Sequence, residues 1–83
     1  SDEVLDAAKR RLAAWREALA QPGSMAGAEE IVAKLRAAIA NDLDTPAALA
    51  AVDEWAEADR GTDEDGAADL VRTALNSLLG VQA

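Results

Sequence analysis

Apolar residues in this chain return every three or four positions from end to end and never alternate every second position over a strand's length. That single property confines the 83 residues to helices, because a period near 3.6 places every apolar side chain on one helix face. Leu5, Ala8, Leu12, Trp15 and Leu19 make a narrow seam, predicting a first helix from about Asp2 to Ala20. Acids at Asp2 and Glu3 suit its positive end. Gln21-Pro22-Gly23-Ser24 then stops it, since proline cannot continue a helix.

The other segments follow the same logic. Ala28, Ile31, Val32, Leu35, Ala38 and Ile39 predict a second helix from about Ala26 to Asp42, with Ser24 as N-cap. Asn41-Asp42-Leu43-Asp44 breaks it. Thr45-Pro46 opens a third helix, because the N–H that proline lacks would be unpaired in a first turn anyway; Asp44 or Thr45 is its cap. Leu49, Val52, Trp55 and Ala56 form its face, and it is expected to end near Arg60-Gly61. The fourth starts between Thr62 and Gly66, where Thr62 and Asp65 have the spacing of a capping-box variant. It carries Ala67, Leu70, Val71, Ala74, Leu75, Leu78 and Leu79, and Gly80 is its C-terminal stop. Four such helices with short links read as a single domain over residues 1–83, all-α, a small antiparallel four-helix bundle.

Composition agrees and narrows the chemistry. Hydrophobic residues make up 51% of the chain, but many are alanine and the only aromatics are Trp15 and Trp55, so the core must form by close helix packing. A chain this short buries only about 60% of its unfolded surface, and its own stability is expected to be modest. With no His and no Cys, neither a zinc site of the usual Cys/His kind nor a Ser-His-Asp or Cys-His nucleophilic centre can be assembled, and no disulfide framework exists. No apolar run approaches the ~20 residues a membrane span requires, and no signal peptide is visible, so a soluble, cytoplasmic protein with no membrane partner is expected.

The charge is −8 and unevenly placed. Acids Asp2, Glu3, Asp6 and Glu17 cancel bases Lys9, Arg10, Arg11 and Arg16 within residues 1–20, leaving the whole excess on residues 21–83. Only Lys34, Arg36, Arg60 and Arg72 are cationic there, whereas phosphate binding needs clustered bases; no nucleic-acid partner is expected for the bulk of the domain. Lys9-Arg10-Arg11 with Arg16 is the exception, a small basic stripe whose plain reading is a solvated helix face.

Four constellations invite functional readings. Asp63-Glu64-Asp65-Gly66 resembles part of a calcium loop, but aligning Gly66 with the loop glycine puts Gly61 and Arg72 where oxygen donors are required. A solvated acidic loop leading into a helix N-terminus is the better account. Asp53 and Glu57, four apart, with Glu54 beside Asp53, could pair as general acid and base, but nothing in the sequence builds a cleft around them, and an exposed polar face is expected. Trp15 and Trp55 are candidate anchors, for the core or for another domain. Gly23 to Gly27 lacks the Lys-Ser/Thr of a phosphate-binding loop. No catalytic, cofactor-binding or metal-binding residue is assigned.

Two segments carry a resemblance. Asn41 to Val52 (NDLDTPAALAAV) is similar to the stretch of cysteinyl-tRNA synthetases in which an acidic run, Asn/Asp-Thr-Pro and an Ala-Leu pair open a helix after the catalytic domain. Asp2 to Leu12 resembles the Leu-x-x-Ala-x-x-x-Leu helix that follows the catalytic core there. Asp42 to Pro46, Ala48 to Asp53 and Trp55-Ala56 more closely resemble the mycothiol cysteine ligases, relatives of those synthetases, and Leu78-Leu79-Gly80-Val81 looks like the end of such a ligase. A synthetase would continue into an anticodon-recognition region. The resemblance implies a non-catalytic C-terminal helical domain of an ATP-dependent enzyme that joins cysteine to the amine of glucosaminyl-inositol through cysteinyl-adenylate. It implies ATP and zinc for the parent enzyme, neither held by this fragment, and the catalytic domain of the same polypeptide as partner. The alternatives are a tRNA-contacting domain of a cysteinyl-tRNA synthetase and an unrelated helical interaction module.

Overall fold

The computed structural model describes residues 2–41 and 44–83, and the side chains of all of these except Asp2. Among them are four helices: α1 (Asp2–Ala20), α2 (Met25–Ala40), α3 (Thr45–Glu57) and α4 (Ala67–Leu79). α2 lies at the centre, packed on both α4 and α3; α1 closes the other side against α3 and, more lightly, α4. The core is wholly apolar. Trp15, Leu35, Val52, Val71 and Leu75 are its largest fully buried side chains, and alanines 28, 48 and 67 are completely buried where helices come close.

The predicted caps resolve cleanly. Ser24 Oγ accepts from Gly27 N at 3.0 Å and starts α2. Asp44, not Thr45, caps α3, its Oδ1 accepting from Ala47 N at 3.2 Å with Pro46 in the first turn. Gly80 ends α4 in the left-handed conformation, φ 68°. The break after α2 begins at Asn41, while Asp42 and Leu43, also assigned to it, lie outside the described residues.

Three expectations fail in informative ways. α3 stops at Glu57 rather than near Arg60, because Arg60 turns back over it. Its Nη1 donates to the carbonyls of Trp55, Ala56 and Ala58, at 3.0, 2.6 and 3.2 Å, saturating acceptors that a helix end leaves unpaired. α4 has no side-chain cap, so the Thr62–Asp65 capping pattern is not used; Gly66 begins the helix at φ 87°, a conformation glycine adopts at little cost. Finally, the seam of α1 is only half buried. Trp15, Ala18 and Leu19 are in the core and Leu12 is partly covered, but residues 3–11 are all exposed. The core covers α1 only from Leu12 onward, and Arg11, paired with Asp53, marks the near edge of the uncovered stretch.

Candidate functional site

Two loops far apart in sequence meet at one end of the bundle. The turn at 21–24 needs Gly23 at φ 82°, and a Cβ there would collide with the Cβ and carbonyl of Arg60. Ser24 N donates to Arg60 O at 3.2 Å and Glu64 N to Gly23 O at 2.9 Å, tying the turn to the α3–α4 loop. The acidic run completes the join. Asp63 Oδ1 accepts from Gly23 N and Glu64 Oε1 from Met25 N, both at 2.9 Å. These carboxylates therefore sit at the positive end of α2, where negative charge is stabilised, not at the start of α4 as the sequence suggested. Among the described residues no group of three or more His, Cys, Asp or Glu is arranged to hold a metal ion. In the Gly23–Gly27 stretch the N–H groups of Gly23 and Met25 are taken by Asp63 and Glu64, that of Ser24 by Arg60 O and that of Gly27 by Ser24 Oγ.

The carboxylate pair considered on α3 is dismantled by the fold. Asp53 is half-buried and faces α1: its Oδ1 accepts from Trp15 Nε1 at 2.8 Å, and its Oδ2 pairs with Arg11 Nη2 at 3.2 Å. Glu54 and Glu57 remain exposed. Asp53 is thus a clamp that satisfies the one polar atom of a buried tryptophan, and the expected solvated polar face is broken at that position. Its ion pair with Arg11 is largely solvent-screened and is worth at most about 1 kcal/mol.

Both tryptophans are core residues, Trp15 at 2% and Trp55 at 8% exposure, so neither is left facing outward for another domain. Trp55 carries the guanidinium of Arg60 on its ring, 5.1 Å from the centroid, within cation–π range. Its own Nε1 is buried without a hydrogen-bond partner, a cost of about 1–3 kcal/mol for a desolvated donor. A half-open cavity of about 290 Å³ runs between α2 and α3 beside it, with Ile31 and Ala51 on its walls and Glu30, Lys34, Glu54 and Asp59 at its edges. Lys34 is engaged by Glu30 at 3.3 Å along the helix.

The basic stripe of α1 is not one surface. Lys9 and Arg16, seven apart, lie on one face, and Arg11 lies on roughly the opposite one. Arg11 is held by Asp53, and Arg16 Nη2 donates to Gln82 O at 2.7 Å, fastening the C-terminal tail. Lys9 and Arg10 are exposed.

Sequence reasoning assigned Arg60 no role, yet besides its contacts with α3 and Trp55 it donates through Nε to Gln21 O at 3.0 Å. The only hint was its place between a tryptophan-bearing helix and a glycine. The pairing of Trp15 with Asp53 is 38 residues apart in sequence and left no local signal.

These features define a small all-α bundle whose polar side chains hold helices and loops together. Its relatives are larger proteins. The L-cysteine:1D-myo-inositol 2-amino-2-deoxy-alpha-D-glucopyranoside ligase of Corynebacterium aurimucosum is 49% identical over 84 residues, covering 99% of this chain and 20% of the ligase. The ligases of the same name from Streptomyces griseus and Beutenbergia cavernae are 50% and 52% identical, over 98% and 94% of this chain and 20% and 19% of their own lengths. No protein-family model and no solved structure matches. The chain is therefore homologous over essentially its whole length to one fifth of the mycothiol cysteine ligases, the family its sequence resembles.

Proposed function

We propose that the intact protein is a ligase that joins the carboxyl group of cysteine to the amine of an aminoglucosyl inositol, and that this chain is its non-catalytic C-terminal helical domain. The observation that carries this reading is identity close to one half with ligases of that name along nearly all of the chain. The reaction implied by the resemblance uses ATP. The cysteine carboxylate displaces pyrophosphate to form cysteinyl-adenylate, and the sugar amine then attacks the carbonyl carbon and releases AMP.

No residue of this chain enters those steps. The chain has no His or Cys for a zinc site of the usual kind. Zinc and ATP, which the resemblance implies for the intact enzyme, are assigned in this reading to its remainder, and the task of the bundle is to brace the catalytic domain. Among the described residues no helix is long and apolar enough to cross a membrane.

The test offers the full-length protein ATP and cysteine, with glucosaminyl-inositol and tRNA in parallel. Transfer to the sugar amine is expected, with lower turnover or solubility after deletion of this domain. Transfer of cysteine to tRNA would replace this reading with that of a synthetase domain. Full activity and stability without the domain would remove the bracing role.

A further inference from the structure

Among the described residues, the N-terminal stretch of α1 continues the apolar pattern of the helix without a partner to bury it. Val4 is 71% and Leu5 55% exposed, the exposed large hydrophobics among the described residues. Leu5 and Ala8 continue the seam that Leu12, Trp15 and Leu19 bury further along. Beside them Val4, Ala7 and Ala8 floor a shallow depression, with Glu3 and Arg11 at its rim. Residues 3–11 are all exposed, and Arg11 ties this stretch to α3 through Asp53 at its C-terminal end.

The size of the patch decides what can cover it. A freely diffusing partner or a second copy needs about 800 Å² per side, some 20–30 residues. Two large side chains and two alanines fall far short of that. A tethered partner needs much less, because a short link supplies an effective concentration in the millimolar range and the second contact becomes intramolecular. The relatives supply such a partner: this chain spans about 20% of their length, and four fifths of each polypeptide lies outside it.

We propose that the first three turns of α1 are a docking arm whose Val4, Leu5 and Ala8 seat on the catalytic portion of the same polypeptide, with Glu3 and Arg11 bordering the contact. This rests on the reading of the chain as one domain of a longer ligase. The contact completes α1: its C-terminal half is buried in the bundle and its N-terminal half in the neighbouring domain, so one rigid helix fixes the geometry between them.

The full-length protein tests this with a photoreactive benzoylphenylalanine in place of Leu5, the rest of the sequence unchanged, and cross-links mapped by mass spectrometry. The expected product is an intrachain cross-link to residues outside these 83. Hydrogen exchange then compares wild type with the Val4→Glu, Leu5→Glu double variant. Amides 3–11 are expected to exchange about 10-fold or more faster in the variant, with α2 and α4 unchanged, since exchange reports local opening. Absence of an intrachain cross-link overturns the proposal, as do cross-links between two copies or equal exchange of amides 3–11 in both proteins. A ligase assay on the same preparation separates the two readings. Ligation without the cross-link removes the arm and leaves the function, whereas the cross-link without ligation removes the function and leaves the arm.

Discussion

The two halves of α1 are written in the same pattern and have opposite fates. Leu5 and Leu19 sit on the same seam, fourteen residues apart, yet Leu19 is 3% exposed and Leu5 55%. Trp15 gains a carboxylate for its indole N–H, and Arg16 fastens the tail, while residues 3–11 stay exposed. Periodicity states which face of a helix is suited to burial. It does not state whether a partner element is long enough to reach it, because that depends on the lengths and positions of the other helices.

The sharpest way to break this contrast is substitution within the buried half. Trp15→Ala removes the largest core side chain and strands Asp53; a loss of about 3–5 kcal/mol is expected from urea unfolding of the 83-residue chain followed by circular dichroism. Leu19→Ala should cost about 2–5 kcal/mol in the same measurement. Asp53→Ala leaves the buried Trp15 N–H without an acceptor and should cost about 1.5–3 kcal/mol, the range of a hydrogen bond to a charged group, whereas Arg11→Ala should cost under about 1 kcal/mol. A cost for Arg11→Ala equal to that of Asp53→Ala would make the ion pair, and not the indole contact, the link between α1 and α3. Glu64→Ala, which removes the acceptor for Met25 N at the start of α2, should cost about 0.5–2 kcal/mol, as helix-capping losses do. The smallest effect is expected at the arm, where Leu5→Ala should change the stability of this chain by less than about 0.5 kcal/mol. A loss matching that of Leu19→Ala would show that the arm is packed within the bundle after all.

A second contrast concerns the acids. Asp69 does what its sequence neighbours suggest, pairing with Arg72 one turn on at 3.3 Å. Asp63 and Glu64 read as a solvated lead-in to α4, yet they serve α2, about 40 residues earlier in the chain. The Gly23 turn and the Arg60 backbone bring the two loops together, and neither sequence shows the other.

Local chemistry was legible from the sequence because it operates within one turn of chain. The Ser24 cap, the Pro46 opening and the Gly80 stop depend on a side-chain bond three residues on, on proline's missing N–H and on glycine's left-handed backbone, all within one turn, so residue type and spacing fix them. The lack of His and Cys likewise excluded whole classes of chemistry before any fold was known. What only the tertiary structure decided was that Asp53 would clamp Trp15, that Arg60 would end α3 early and cover Trp55, that Asp63 and Glu64 would hold the start of α2, and that residues 3–11 of α1 would stay uncovered. The Asp53, Asp63 and Glu64 contacts join residues about 40 apart, and the Arg60 contacts, though only four or five residues apart, follow a loop path; no periodic signal within a single segment encodes either.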